Sequence, residues 1–161
     1  MIEYKIVDDF LNKEDFKNLE SLMMGSSIDW LHVGGDISVD NDYLVHPFFY
    51  YDRNKHPINS PFFQDLYPLL KKLSLKGLVR IKANFFPATE RIEDHNLHDH
   101  GSSHKMAIYS INTNNGYTKL EDGRKVSSIA NRVLIFDPLN PHASSSCSDK
   151  NCRVNLVVDY F

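Results

Sequence analysis

Four of the eight histidines fall within ten residues: His95, His98, His100 and His104. An even spread over 161 residues would put about half a histidine in such a window (8 × 10/161). His98 and His100 flank Asp99. On an extended backbone, residues two apart point to the same face, so these two imidazoles can meet one metal ion together. A third ligand must then come from a neighbouring strand, and His142 follows an apolar run and a turn. Three protein ligands with open positions let a metal take up a substrate or oxygen while the protein holds it. The competing reading is a pair of inert, solvent-exposed loop histidines, and spacing alone does not choose between them.

Arg153 lies eleven residues after His142, with Asn155 on the same face of an alternating segment. A buried arginine is costly unless it meets an anion, and its guanidinium fork matches a carboxylate. With His142 lining a metal pocket, Arg153 can hold a dicarboxylate whose other end reaches the metal. The plainer reading is an exposed or edge arginine. Asn84, with Lys82, stands on the polar side of an alternating run and lines either the pocket or a solvated sheet face.

These side chains need strands to carry them. Leu78, Val79, Ile81, Ala83 and Phe85 alternate with Arg80, Lys82 and Asn84, predicting a strand that ends at Pro87. Further strands are expected over 1–8, within 28–52, over 105–112, 117–121, 124–129, 131–136, 142–146 and 153–161, with 88–97 as a polar loop. Gly34-Gly35 and Asp40-Asn41 read as turns, 53–59 as a connector, Asn114-Asn115-Gly116 and Asp122-Gly123 as hairpin turns. Asn12 caps a helix over 13–24 that ends near Gly25. Ser60 and Pro61 open a second helix to about 75. Two N-terminal helices followed by short strands at regular spacing predict an antiparallel sandwich or barrel with the helices on one face.

Composition bounds the rest. The 161 residues are 42% hydrophobic and 24% charged, which fits one globular domain and excludes disorder and low complexity. A net charge of −3 argues against specific nucleic-acid binding. No run of eighteen apolar residues predicts a membrane span, and Met1 to Lys5 shows no signal-peptide pattern. Cys147 and Cys152 read as free thiols in a reducing cytoplasm.

The stretch from Arg80 to Phe161, about half the chain, resembles the iron(II)- and 2-oxoglutarate-dependent dioxygenases. Specifically, it is similar to the small prolyl-4-hydroxylase-like members found in tailed phages of marine bacteria. The likeness rests on Arg80 to Pro87, Asp94 to His98, His104-Lys105, Ala107 to Thr118, Glu121 to Gly123, Asn131-Arg132, Phe136-Asp137, His142 and Arg153 to Phe161. It implies a mainly β chain with N-terminal helices and a double-stranded β-helix (a cupin-like jelly roll). Residues 1–76 would give helical support and variable loops, and 77–161 the metal-bearing strands. It implies Fe(II), 2-oxoglutarate as cosubstrate, O2, and hydroxylation of a peptidyl or small-molecule C–H bond, in the cytoplasm (the host's, for a phage protein). His98 and His142 become metal ligands. Arg153 becomes the partner of the far carboxylate, with Asn155, Tyr109 and Asn84 as polar neighbours. Substrate choice would lie in loops 28–58 and 88–97.

The chain departs from the family at one ligand. The family has a His-x-Asp pair; here His100 stands where the Asp would be. Three readings follow: a three-histidine site of His98, His100 and His142; a bulge that brings in Asp99 instead; or a degenerate site. Imidazole in place of carboxylate removes one negative charge from the centre. A non-enzymatic phage jelly-roll module with a vestigial metal site, and a three-histidine cupin-type metalloprotein without 2-oxoglutarate, are the rival functions.

Overall fold

The alternation around Arg80 to Phe85 becomes strand β5 (Leu78–Pro87), and that of the last residues becomes β11 (Cys152–Tyr160). The two run antiparallel at the centre of the larger sheet in a computed structural model that describes residues 3–32, 43–101 and 104–161. The expected turns at Gly34-Gly35 and Asp40-Asn41 lie outside the described residues. The other elements are β1 (Tyr4–Val7), α1 (Lys13–Met24), β2 (Leu31–His32), β3 (Leu44–Tyr51), β4 (Pro57–Asn59), α2 (Tyr67–Leu73), β6 (Lys105–Ser110), β7 (Tyr117–Leu120), β8 (Lys125–Ser127), β9 (Val133–Phe136) and β10 (His142–Ser144).

The larger sheet runs β1-β9-β6-β11-β5-β3-β2, with β4 paired to β3. The smaller runs β10-β7-β8. All described strand pairs are antiparallel, and the two sheets face each other as a double-stranded β-helix. All nine residues of β11 are buried, so both its faces are covered. Val154, Leu156, Val158 and Tyr160 join the core beneath the helices with Phe10, Leu19 and Leu69. The opposite parity, Arg153, Asn155, Val157 and Asp159, faces inward between the sheets. No helix among the described residues is long and apolar enough to cross a membrane.

Three local expectations are corrected. The connector at 53–59 is partly a strand: Asp52 Oδ1 accepts from the backbone N–H groups of Asn54 (2.9 Å) and His56 (2.7 Å), turning the chain so that β4 pairs with β3. The second helix starts later. Ser60 Oγ accepts from Phe62 N–H (3.2 Å), a 3₁₀ turn covers Phe63–Leu66, and α-helix begins only at Tyr67. Pro68 has no N–H and sits without penalty only in a first turn. Asn114-Asn115-Gly116 is not a hairpin turn, because β6 and β7 belong to different sheets. Gly116 is needed for space: a Cβ there would lie 2.6 Å from Ser146 O and 2.7 Å from Arg153 Cδ. Asp122-Gly123 is the true turn, joining β7 to β8 with Gly123 at φ 84°.

Candidate metal centre

The loop at 88–97 is tied to the smaller sheet, and this tie assembles the histidines. His98 and His142 form an antiparallel bridge, His98 N–H to His142 O at 3.0 Å and His142 N–H to His98 O at 2.9 Å. His100 is held by its N–H to Pro138 O at 3.1 Å. The ring centroids then lie 4.5 Å (His98–His142), 5.2 Å (His100–His142) and 5.5 Å (His98–His100) apart. One nitrogen from each ring lies within 4.8 Å of the others.

Two of the tautomers follow from their partners. Nδ1 of His142 lies 3.1 Å from Asn140 O, and Nδ1 of His98 lies 3.3 Å from Asn96 O. A carbonyl only accepts, so Nδ1 carries the hydrogen in both rings and Nε2 keeps the lone pair. Burial pushes His142 down to about 4. His98, an exposed residue whose ring is only partly sheltered, is also lowered, first by that partial desolvation and then by the charges of His100, Lys82 and Arg80. Both are therefore neutral at pH 7, the form that binds a divalent metal. Three such imidazoles suit iron, zinc, copper or nickel.

Asp99 is not brought to this set. Its Oδ1 accepts from Gly101 N–H at 2.9 Å, an exposed turn contact that takes the carboxylate away from the three rings. No bulge returns it to the three rings, so Asp99 does not take the place of His100 in the cluster.

A cavity of about 220 Å³ opens beneath the rings, lined by Met106, Ile108 and Val157 on one side and by Asn84, Asn155, Ser144 and Lys82 on others. Pairing of β5 with β11 sets a ladder along it: Arg80–Asp159 and Lys82–Val157 near the histidines, then Asn84–Asn155, then Phe86–Arg153 at the floor. Asn84 Nδ2 donates to Asn155 Oδ1 at 2.9 Å, and Asn84 Oδ1 has no partner. Arg153 is 1% exposed and lies under Phe86, 5.3 Å from its ring centre. Its Nη1 donates to Ser145 O (3.1 Å) and its Nη2 to Thr118 Oγ1 (3.2 Å), while Nε has no partner. It forms the floor behind the cavity wall rather than part of that wall.

Tyr109 is misplaced in the sequence reading. It faces the helix-side core, fully buried, with its hydroxyl donating to Asn131 Oδ1 at 2.6 Å. It is not a neighbour of the cavity. Every residue from Met106 to Ser110 is buried, so alternation in β6 marks two inner faces and does not say which one holds the site.

Lys82, which its alternation assigns either to the pocket or to a solvated face, lines the cavity, and burial lowers it to about 8. Asp159 and Arg80 pair at the mouth, where Asp159 joins His100 and His104 in a second cluster. Asp159 shares the parity of Arg153 and Asn155, which is the signal that marks it. Of the other histidines, His46 bonds Asp29 O and Ser60 Oγ, a structural role.

His95 packs on Phe86 at the cavity wall, 5.2 Å between rings. Burial, and after it the charge of Arg153, lowers it to about 4. The folded protein then binds fewer protons than the unfolded one between pH 6.5 and 4. Stability is full above pH 6.5 and falls as pH drops through that window. His95→Asn is expected to flatten the fall by about 1–2 kcal/mol, discounted for partial exposure, as read by urea unfolding at pH 7 and 4.5. Parallel pH profiles for both proteins would refute this.

The class defined here is a double-stranded β-helix with an imidazole cluster at the mouth of its inner cavity. The fold resembles those of several solved 2-oxoglutarate- and Fe(II)-dependent oxygenases. An oxidoreductase of that family from Burkholderia pseudomallei matches with a TM-score of 0.73 at 12% identity, over 98% of this chain and 84% of that one. A prolyl hydroxylase from Trichoplax adhaerens, in complex with a hypoxia inducible factor peptide fragment, gives 0.71 at 13%, over 98% and 83%. The viral collagen prolyl hydroxylase of Paramecium bursaria Chlorella virus-1, in its 2-oxoglutarate complex, gives 0.65 at 10%, over 97% and 94%. No protein-family model and no curated protein matches the sequence.

Proposed function

We propose that the chain is an Fe(II)- and 2-oxoglutarate-dependent oxygenase that hydroxylates a peptidyl or small-molecule C–H bond, with residues 1–161 as one catalytic domain. The observation that carries this is the pairing of two features in one barrel. Three histidine side chains converge at the mouth, and a buried arginine with an unpaired Nε forms the floor. His98, His100 and His142 would hold the metal through neutral imidazole nitrogens. Arg153, with the Thr118 hydroxyl it already bonds, would receive the far carboxylate; Asn84 Oδ1 and Asn155 lie between the two ends of the cavity. Iron with 2-oxoglutarate and O2 supplies oxidative decarboxylation coupled to insertion of oxygen into a C–H bond.

What the chain's own residues do is bind, orient and exclude. Met106, Ile108 and Val157 keep one wall apolar, and a dry wall strengthens the attraction of Arg153 for an anion. Lys82 adds a second positive charge beside the histidines, which favours an acidic ligand there. Cys147 and Cys152 are free, buried thiols, fitting a reducing compartment such as the cytoplasm.

The test is anaerobic addition of iron(II) and then 2-oxoglutarate to the purified protein, followed by visible absorption. A new charge-transfer band on the second addition is expected. Iron binding without that band would favour a three-histidine metalloprotein or a vestigial site and would sink the oxygenase reading. Succinate release with candidate peptides then reads turnover.

A further inference from the structure

Resting on the reading of His98, His100 and His142 as ligands, we propose that Asp159 is the positioning residue of this centre. It holds His100 as the Nδ1–H tautomer and so leaves Nε2 as the nitrogen that meets the metal.

The argument starts from what an imidazole needs. A carboxylate ligand has no tautomer to choose; an imidazole at position 100 does, and the wrong one presents N–H to the metal. His98 and His142 are set by the carbonyls of Asn96 and Asn140. For His100 two groups face Nδ1: Arg80 Nη2 at 3.4 Å, which can only donate, and Asp159 Oδ1 at 3.5 Å, which can only accept.

Asp159 is built to stay in place. It is 2% exposed. Its Oδ2 accepts from Arg80 Nε at 2.9 Å and from Arg80 Nη2 at 2.6 Å, a fork that fixes the carboxylate plane. Its Oδ1 is left for two imidazoles, Nε2 of His104 at 3.2 Å and Nδ1 of His100 at 3.5 Å. The competing partner is Arg80 Nη2: as a donor to Nδ1 it would leave Nε2 protonated, whereas a metal at Nε2 requires Nδ1–H turned to Asp159 Oδ1 while Nη2 keeps its 2.6 Å bond to Oδ2.

Charge and direction can be separated here. Arg80 balances Asp159 one for one, so the pair adds no net charge to the centre. What remains is direction: the ionised oxygen can only accept, so Nδ1 meets it only when it carries a hydrogen, whereas Arg80 Nη2 meets Nδ1 only when it does not. At 3.5 Å the contact is long. Coordination at Nε2 polarises the ring and strengthens its Nδ1–H as a donor, so the pair matters most in the loaded protein. Partners of this kind typically change metal affinity by about 10- to 100-fold when removed.

Asp159→Asn makes the prediction sharp. Arg80 will claim the amide oxygen, leaving the NH2 to face His100. Nδ1 must then accept, and Nε2 becomes the protonated nitrogen.

The experiment is long-range ¹H–¹⁵N NMR of the metal-free protein with labelled histidine, together with iron(II) titration. The expected results are Nδ1–H at His100 in the unaltered chain, a switch to Nε2–H in Asp159→Asn, and about 10- to 100-fold weaker iron binding in that variant. In a His100→Ala background, Asp159→Asn should weaken iron binding no further. Nε2–H at His100 in the unaltered protein overturns the proposal, and that measurement needs no variant to fold. An equal loss of affinity with and without His100 also overturns it. Failure of the metal reading looks different: no iron binds the unaltered chain, while His100 still reports Nδ1–H.

Discussion

Arg153→Met is expected to abolish measurable 2-oxoglutarate binding while leaving the ligand-free protein at least as stable as before. Arg153 carries a buried positive charge, and among the described residues no carboxylate pairs with it. Burial alone lowers it to about 10, a sign of the energy spent on keeping it charged. Its two bonded nitrogens meet only a carbonyl and a hydroxyl, and Nε meets nothing. An unpaired buried charge is a liability in a chain that has no ligand for it. Methionine fills similar space beneath Phe86 and removes the liability, so the melting temperature should hold or rise. A dicarboxylate that depends on this charge should lose about 2–5 kcal/mol, or roughly 30- to 5000-fold in affinity. Calorimetry of the manganese-loaded protein with 2-oxoglutarate, beside thermal unfolding without it, reads both arms. Arg153→Lys keeps the charge but not the fork and should fall between. Unchanged 2-oxoglutarate affinity in Arg153→Met would remove Arg153 from the site.

The second large effect is at His142. His142→Ala should weaken iron(II) binding by more than about 100-fold, beyond the usual loss for an outer partner of a ligand. Of the three rings His142 is the most buried, at 4% exposure, and the edge of Phe136 holds it, 4.9 Å between ring centres. The bridge to His98 is made by main-chain groups, so it survives removal of the side chain and the fold should persist. His98→Ala should produce the same loss with almost no effect on stability, because His98 is exposed. His56→Ala, in a surface turn, should change neither. Equal iron affinity in the His142, His56 and unaltered proteins would show that the cluster is not the metal site.

Much of the scaffold could be read directly. The cap at Asn12 is real: its side chain accepts from Asp15 N–H at 2.9 Å, as expected for helix 13–24. The alternation of β5 placed Asn84 and Lys82 on one face, and that face is the cavity. These features are local, carried by period two, by period 3.6 and by capping chemistry within a few residues. The Asn-Asn-Gly segment shows where local rules stop. It has the composition of a tight turn, yet it carries the chain from one sheet to the other, and its glycine is there to let Arg153 pass.

By itself, the sequence determined which residues share a strand face and therefore that His98, Arg153 and Asn155 were candidates. Only the tertiary structure decided which faces meet. Strands buried on both sides have two inner faces, so parity put Asp159 on the face of Arg153 and Asn155 but could not say which face holds the site, nor send Tyr109 to the helices. The contact that matters most to His100 crosses from the loop ahead of β6 to the end of β11. It exists because β11 pairs with β5 and β6 at once, bringing Arg80, Asp159 and the histidines together. Pairing register between distant strands is set by the sum of packing across the whole barrel, and no short stretch of sequence contains it.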